Sequence, residues 1–126
     1  MKKLRVALYC RVAREDTFRL EAQAAELRWY AERNGYTIIS VQAESGSGLT
    51  LERPALAEIT RAVCAGEVDV VLVKNLSRLG REWGMVQSYI GLLNEHKVTL
   101  LCVSEGLEIS NRNLYPFFER KKTECP

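Results

Sequence analysis

The chain has 126 residues, 47% of them hydrophobic and 27% charged, the size and balance of one soluble globular domain. Its unbroken apolar runs, Val70–Val73 among them, are far short of the ~20 residues of a membrane-spanning helix. Arg5, Arg11 and Arg14 break the N-terminal region, so no secretory signal is expected. A net charge of +2 is too small to imply a nucleic-acid partner by itself; only the placement of the charges can do that.

The elements read in order as alternating strands and helices. Residues Leu4–Cys10 are apolar and strand-like, and Arg11–Phe18 is a polar loop. From about Arg19 to Asn34, Leu20, Ala24, Leu27 and Ala31 recur at helical spacing, and Asn34-Gly35 is a stop signal. Thr37–Gln42 is β-branched and strand-like, and Ala43–Glu52 is a loop with two glycines and two serines. Arg53-Pro54 opens a second helix whose inward face is Leu56, Ile59 and Val63, ending at Gly66. Val68–Val73 is a third strand, Lys74–Arg81 a basic loop, Glu82–Glu95 a third helix and Val98–Val103 a fourth strand. This order predicts an α/β, three-layer domain, with a mostly parallel sheet of four to five strands and helices on both faces. The domain is expected to span residues 1–108, with an irregular C-terminal tail over 109–126.

The four cysteines, Cys10, Cys64, Cys102 and Cys125, form no CxxC pair, and His96 is the single histidine. A metal site is therefore not expected, nor a Ser-His-Asp or Cys-His device. Cys10 and Cys102 fit buried apolar positions, and the pattern suits a reducing, cytoplasmic location. No GxxxxGK[ST] or GxGxxG is present, so no nucleotide cofactor is expected.

Ligands of open α/β sheets bind beyond the carboxyl ends of the strands. There the loops contribute Arg11 and Arg14, then Ser45, Ser47 and Arg53, then Lys74, Ser77, Arg78 and Arg81. Guanidinium groups keep their charge and bind phosphate oxygens bidentately, so convergence of these residues points to a phosphate site. Solvated loop charges are the alternative reading of the same residues.

Four spaced segments carry a resemblance. Tyr9-Cys10-Arg11-Val12-Ala13-Arg14 resembles the Y-x-R-V-S segment of the serine recombinases, the resolvase/invertase family, and Leu20-Glu21-Ala22-Gln23 its S-L-x-x-Q segment. Ser47-Gly48 followed by Arg53-Pro54 resembles its S-G-x-x-x-x-R-P loop, and Leu72–Arg81 its signature after strand three. Ser77, where small resolvases carry Asp, is similar to the large members of phages and transposons.

The resemblance implies a catalytic domain for site-specific DNA recombination, cutting and rejoining strands through a phosphoserine link without metal or nucleotide. It assigns Arg11, Arg53, Arg78 and Arg81 to the scissile phosphate, with Lys74, Ser47, Ser77 and Gln23 in the same pocket and Tyr9 beneath it. It also implies that Ala13 stands at the nucleophile position, where the family has serine, so the chain as written is expected not to cleave. A further departure is Ala43, where many members carry Asp; with Ala13 and the tail it favours a naturally degenerate copy over a deliberate replacement. Nothing after Glu108 reads as the family's long dimer helix or DNA-binding region, and a monomer is expected. Implied partners are DNA and, in the alternative of a non-catalytic regulator, a full-length serine recombinase. A flavodoxin-like or receiver-like module is disfavoured, since the loops at the strand ends are basic where a receiver needs carboxylates.

Overall fold

The computed structural model describes residues 3–46 and 53–110. Strand β1 (Arg5–Val12) leads to helix α1 (Thr17–Arg33), and β2 (Thr37–Ser45) to α2 (Pro54–Cys64). Then β3 (Val70–Val73), a 3-10 turn (Leu76–Arg78), α3 (Trp83–Glu95), β4 (Thr99–Cys102) and β5 (Leu107–Ile109) complete the order. The five strands form one sheet in the order β2-β1-β3-β4-β5. The first four are parallel, and β5 runs antiparallel to β4.

Side chains of β1 alternate across the sheet. Val6, Leu8 and Cys10 pack with Val70, Leu72 and with Leu27 and Ala31 of α1. Ala7 and Tyr9 face the other way, onto Leu56, Ile59 and Val63 of α2 and Ile90 and Leu93 of α3. This is the expected three-layer α/β arrangement, with α1 alone on one face. Cys10 and Cys102 are buried and unpaired, as their apolar neighbours suggested.

Several boundaries differ from the sequence pattern for local reasons. Helix α1 begins at Thr17 rather than near Arg19 because Asp16 caps it, its carboxylate accepting from the Arg19 N–H at 3.1 Å. β1 runs on to Val12 and β2 to Ser45, since their late residues pair with each other (Arg11 with Glu44, Val12 with Ser45). β5 is only three residues long, too short to carry a visible alternation. α1 and α2 end at Gly35 and Gly66, with φ of 72° and 74°, a conformation that favours glycine.

β1 lies between β2 and β3, so the chain leaves β1 in one direction and later returns to its other side. The carboxyl ends of β1 and β3 therefore flank a topological switch point, the usual place for a ligand crevice in such sheets. At the opposite end, Arg5 and Asp69 tie the starts of β1 and β3 together. The Arg5 Nε donates to Oδ2 at 3.0 Å and its NH2 to Oδ1 at 3.1 Å.

Candidate functional site

Three arginines from three segments meet at the switch point. Arg11, near the end of β1, is 3% exposed, and Arg53, at the start of α2, is 6% exposed. The Arg11 guanidinium donates to the carbonyls of Arg78 (2.9 Å), Gly46 (2.6 Å) and Ser77. Arg53 donates to the carbonyl of Leu79 at 2.6 Å and to the Tyr9 hydroxyl at 3.0 Å. Arg78, on the 3-10 turn, returns a bond to the Arg11 carbonyl at 3.1 Å. Two buried cations are thus held by carbonyl and hydroxyl dipoles, and no carboxylate bonds directly to any of the three guanidiniums among the described residues.

The electrostatic consequence is visible at Arg11. Burial, followed by the neighbouring charge of Arg53, holds its pKa below the ordinary guanidinium value, and Arg78 and Arg81 push in the same direction. An anion entering here would relieve that mutual repulsion. Moreover, the Nε atoms of Arg53 and Arg78 are buried without a hydrogen-bond partner. Unsatisfied buried donors are uncommon, and two in one cationic cluster leave it short of negative partners.

Gln23 holds the floor of the site in place. It is buried on α1, its Oε1 accepting from the Arg11 N–H at 3.0 Å and its Nε2 donating to the Arg11 carbonyl at 3.2 Å. Tyr9 is fully buried; burial and its hydrogen bond to Glu44 push its hydroxyl pKa well above the usual phenol range. Glu44 carries a role that the sequence pattern did not reveal. Its Oε2 accepts from the Tyr9 hydroxyl at 2.7 Å, and its carboxylate also accepts the free N–H groups of Ala55 (3.0 Å) and Leu56 (3.2 Å). Position 43 is alanine here, and Glu44, one residue on, caps the start of α2.

A cleft of about 380 Å³ opens above this layer. Ala13, Phe18, Gln23, Glu26, Lys74 and Arg78 are among its lining residues. Lys74 donates to Glu26 Oε1 at 2.9 Å, so one cation of the cleft already has a carboxylate partner. A second depression, about 440 Å³, shares Val12, Ala13 and Arg19 with the first and includes Arg14.

The remaining candidates are less engaged. Arg81 is exposed, and the exposed Ser77 directs its hydroxyl to Asn75 Oδ1 at 2.5 Å while its carbonyl serves Arg11. Ser47 lies outside the described residues. Among the described residues no group of three or more His, Cys, Asp or Glu side chains is placed to hold a metal ion. Among them, too, no helix is long and apolar enough to cross a membrane.

The chain resembles several solved structures. One is the N-terminal catalytic domain of TP901-1 integrase, 26% identical with a TM-score of 0.81, covering 96% of this chain and 95% of that one. A resolvase family site-specific recombinase from Streptococcus pneumoniae is 28% identical with a TM-score of 0.76, covering 98% and 92%. The C-terminal catalytic domain of ISC1926 TnpA, an IS607-like serine recombinase, is 31% identical with a TM-score of 0.75, covering 79% and 70%. The family model described as "Resolvase, N terminal domain" matches residues 6–120. By that match, the chain belongs to the resolvase N-terminal domain family and has the fold of a serine recombinase catalytic domain.

Proposed function

We propose that this chain is a catalytic domain of the site-specific recombinase type that holds a DNA phosphodiester without cutting it. The observation that carries this reading is the packing of Arg11, Arg53 and Arg78 against one another, with Arg78 opening onto a cleft lined by Ala13. Arg78, which lines the cleft, meets the phosphate oxygens, and the buried Arg11 and Arg53 supply charge from behind it. Gln23 fixes the backbone of Arg11, and Tyr9 orients Arg53. Arg81 and Ser77 lie at the rim, and Lys74 reaches the phosphate only on leaving Glu26. Strand cleavage requires an oxygen that attacks phosphorus, and the methyl group of Ala13 has none. An intact cation cluster without a nucleophile also supports a second reading, in which the chain joins a full-length serine recombinase and regulates it.

Binding of a fluorescein-labelled DNA oligonucleotide, followed by anisotropy across a salt series, tests the first reading. With two or three phosphates engaged, log K should fall against log salt with a slope of about −2 to −3. Arg78→Ala should reduce that slope by about 1. Binding that ignores salt, or that is unchanged in Arg78→Ala, would overturn the assignment.

A further inference from the structure

Among the described residues Phe18 is the most solvent-exposed of the large hydrophobic side chains, at 81%, yet it lines the same cleft as Ala13, Lys74 and Arg78. It sits in the first turn of α1, whose core-facing residues Gln23, Leu27 and Ala31 are buried. Phe18 belongs to neither hydrophobic cluster, so its ring contributes nothing to the core. An isolated exposed aromatic needs no explanation on its own, but this one stands at the mouth of a cationic cleft. The pairing of basic groups with an open aromatic face is the arrangement that binds single-stranded nucleic acid: the cations follow the backbone and the ring stacks on a base.

The shape of the site agrees. The two depressions meet at Val12, Ala13 and Arg19, so the surface is open on both sides of Ala13. A chain can pass through such a trough, whereas a closed pocket would admit only a terminal phosphate. The second depression sets Glu15 and Asp16 against Arg14 and Arg19, whereas the first sets Glu26 alone against Arg19, Lys74 and Arg78, so a phosphate is favoured on the Arg78 side, next to Phe18.

We infer that Phe18 is a stacking platform for an unpaired base next to the bound phosphate, so that the cleft selects a locally single-stranded chain over an intact duplex. In a duplex both faces of each base are covered by its neighbours, and the ring of Phe18 has nothing to stack on. This inference rests on the phosphate-binding reading above and adds the class of nucleic acid that the cleft accepts.

The test measures anisotropy of fluorescein-labelled dT12 and of the dT12·dA12 duplex with the full chain at low salt. The single strand should bind more tightly, and Phe18→Ala should weaken it about fivefold or more while leaving duplex binding nearly unchanged. Phe18→Trp should restore the affinity and add a fluorophore that the single strand quenches. Trp29→Ala removes another exposed ring of α1, roughly 16 Å along the helix, and should leave binding intact. Single-strand binding that depends on Arg78 but not on Phe18, or an equal loss in Trp29→Ala, overturns the stacking role and leaves the phosphate site standing. Binding that depends on neither Arg78 nor Phe18 overturns both.

Discussion

The Tyr9 hydroxyl donates to Glu44 Oε2 at 2.7 Å and accepts from the Arg53 guanidinium at 3.0 Å, so a single buried phenol joins the start of α2 to the cation cluster. Glu44 in turn holds the Ala55 and Leu56 N–H groups that the helix itself leaves free. Tyr9→Phe leaves the buried Arg53 and the half-buried Glu44 each one partner short and should lower stability by about 1–3 kcal/mol. Glu44→Gln weakens the helix cap and should cost about 1–2 kcal/mol. Because the two residues share one hydrogen bond, the double variant should lose less than the two single losses added together. Urea unfolding of the four proteins measures this coupling; strict additivity would argue against it.

Restoring a hydroxyl at position 13 should restore phosphorus chemistry. A suitable probe is the p-nitrophenyl ester of thymidine 5′-phosphate. The introduced serine oxygen attacks phosphorus, the bond to the aryl oxygen breaks, and p-nitrophenolate leaves. Ala13→Ser should release p-nitrophenolate and gain a thymidylyl group at position 13, detected by mass spectrometry. The unaltered chain should do neither. An adduct on the unaltered chain would reveal another nucleophile, and none on the variant would deny that the cluster is arranged for cleavage.

Lys74 and Glu26 form an ion pair at the wall of the cleft, each about one-third exposed. A phosphate must compete with that carboxylate for the lysine. Glu26→Gln should therefore strengthen binding of a short oligonucleotide, by about threefold given the modest worth of partly exposed pairs. Isothermal titration at low salt checks the direction; weaker binding would mean that Glu26 supports the site by orienting Lys74.

The fold should lose stability in alkali. Burial pushes the Cys10 thiol from 9.0 up to about 11, partly opposed by the charges of Arg28 and Arg78. Burial and then Glu105 push Cys102 up to about 12. Both groups keep their protons longer in the folded chain, so the unfolded chain binds fewer protons above pH 9. Their stabilising contribution is complete below that pH and fades as pH rises through 9 towards 11 and 12. Thermal unfolding from pH 7 to 11 should show a falling Tm above pH 9, and Cys10→Ala with Cys102→Ala should flatten that fall.

Alternation of strands and helices made the layered sheet legible, since parallel strands covered on both faces must be apolar throughout. The loop arginines were legible as a group because the carboxyl ends of β1, β2 and β3 lie together in any such sheet. Their burial was not legible. Arg11 and Arg53 read as surface charges until the carbonyls of Gly46, Ser77, Arg78 and Leu79 are seen converging on them. Glu44 was hidden for a similar reason: it caps a helix that begins ten residues later, and the usual cap signal is looked for next to the helix. Phe18 falls in a stretch whose polar pattern reads as loop, because Asp16, the cap of α1, stands among other charged residues.

The central claim is that the buried guanidiniums beside Ala13 wait for a phosphate. The most direct measurement is an NMR titration of the arginine Nε–H resonances with dimethyl phosphate. The account predicts saturable shifts that are largest at Arg78, which lines the cleft, with little change at the exposed Arg33 and Arg61. Saturable shifts confined to the exposed arginines, or none at all, would contradict it.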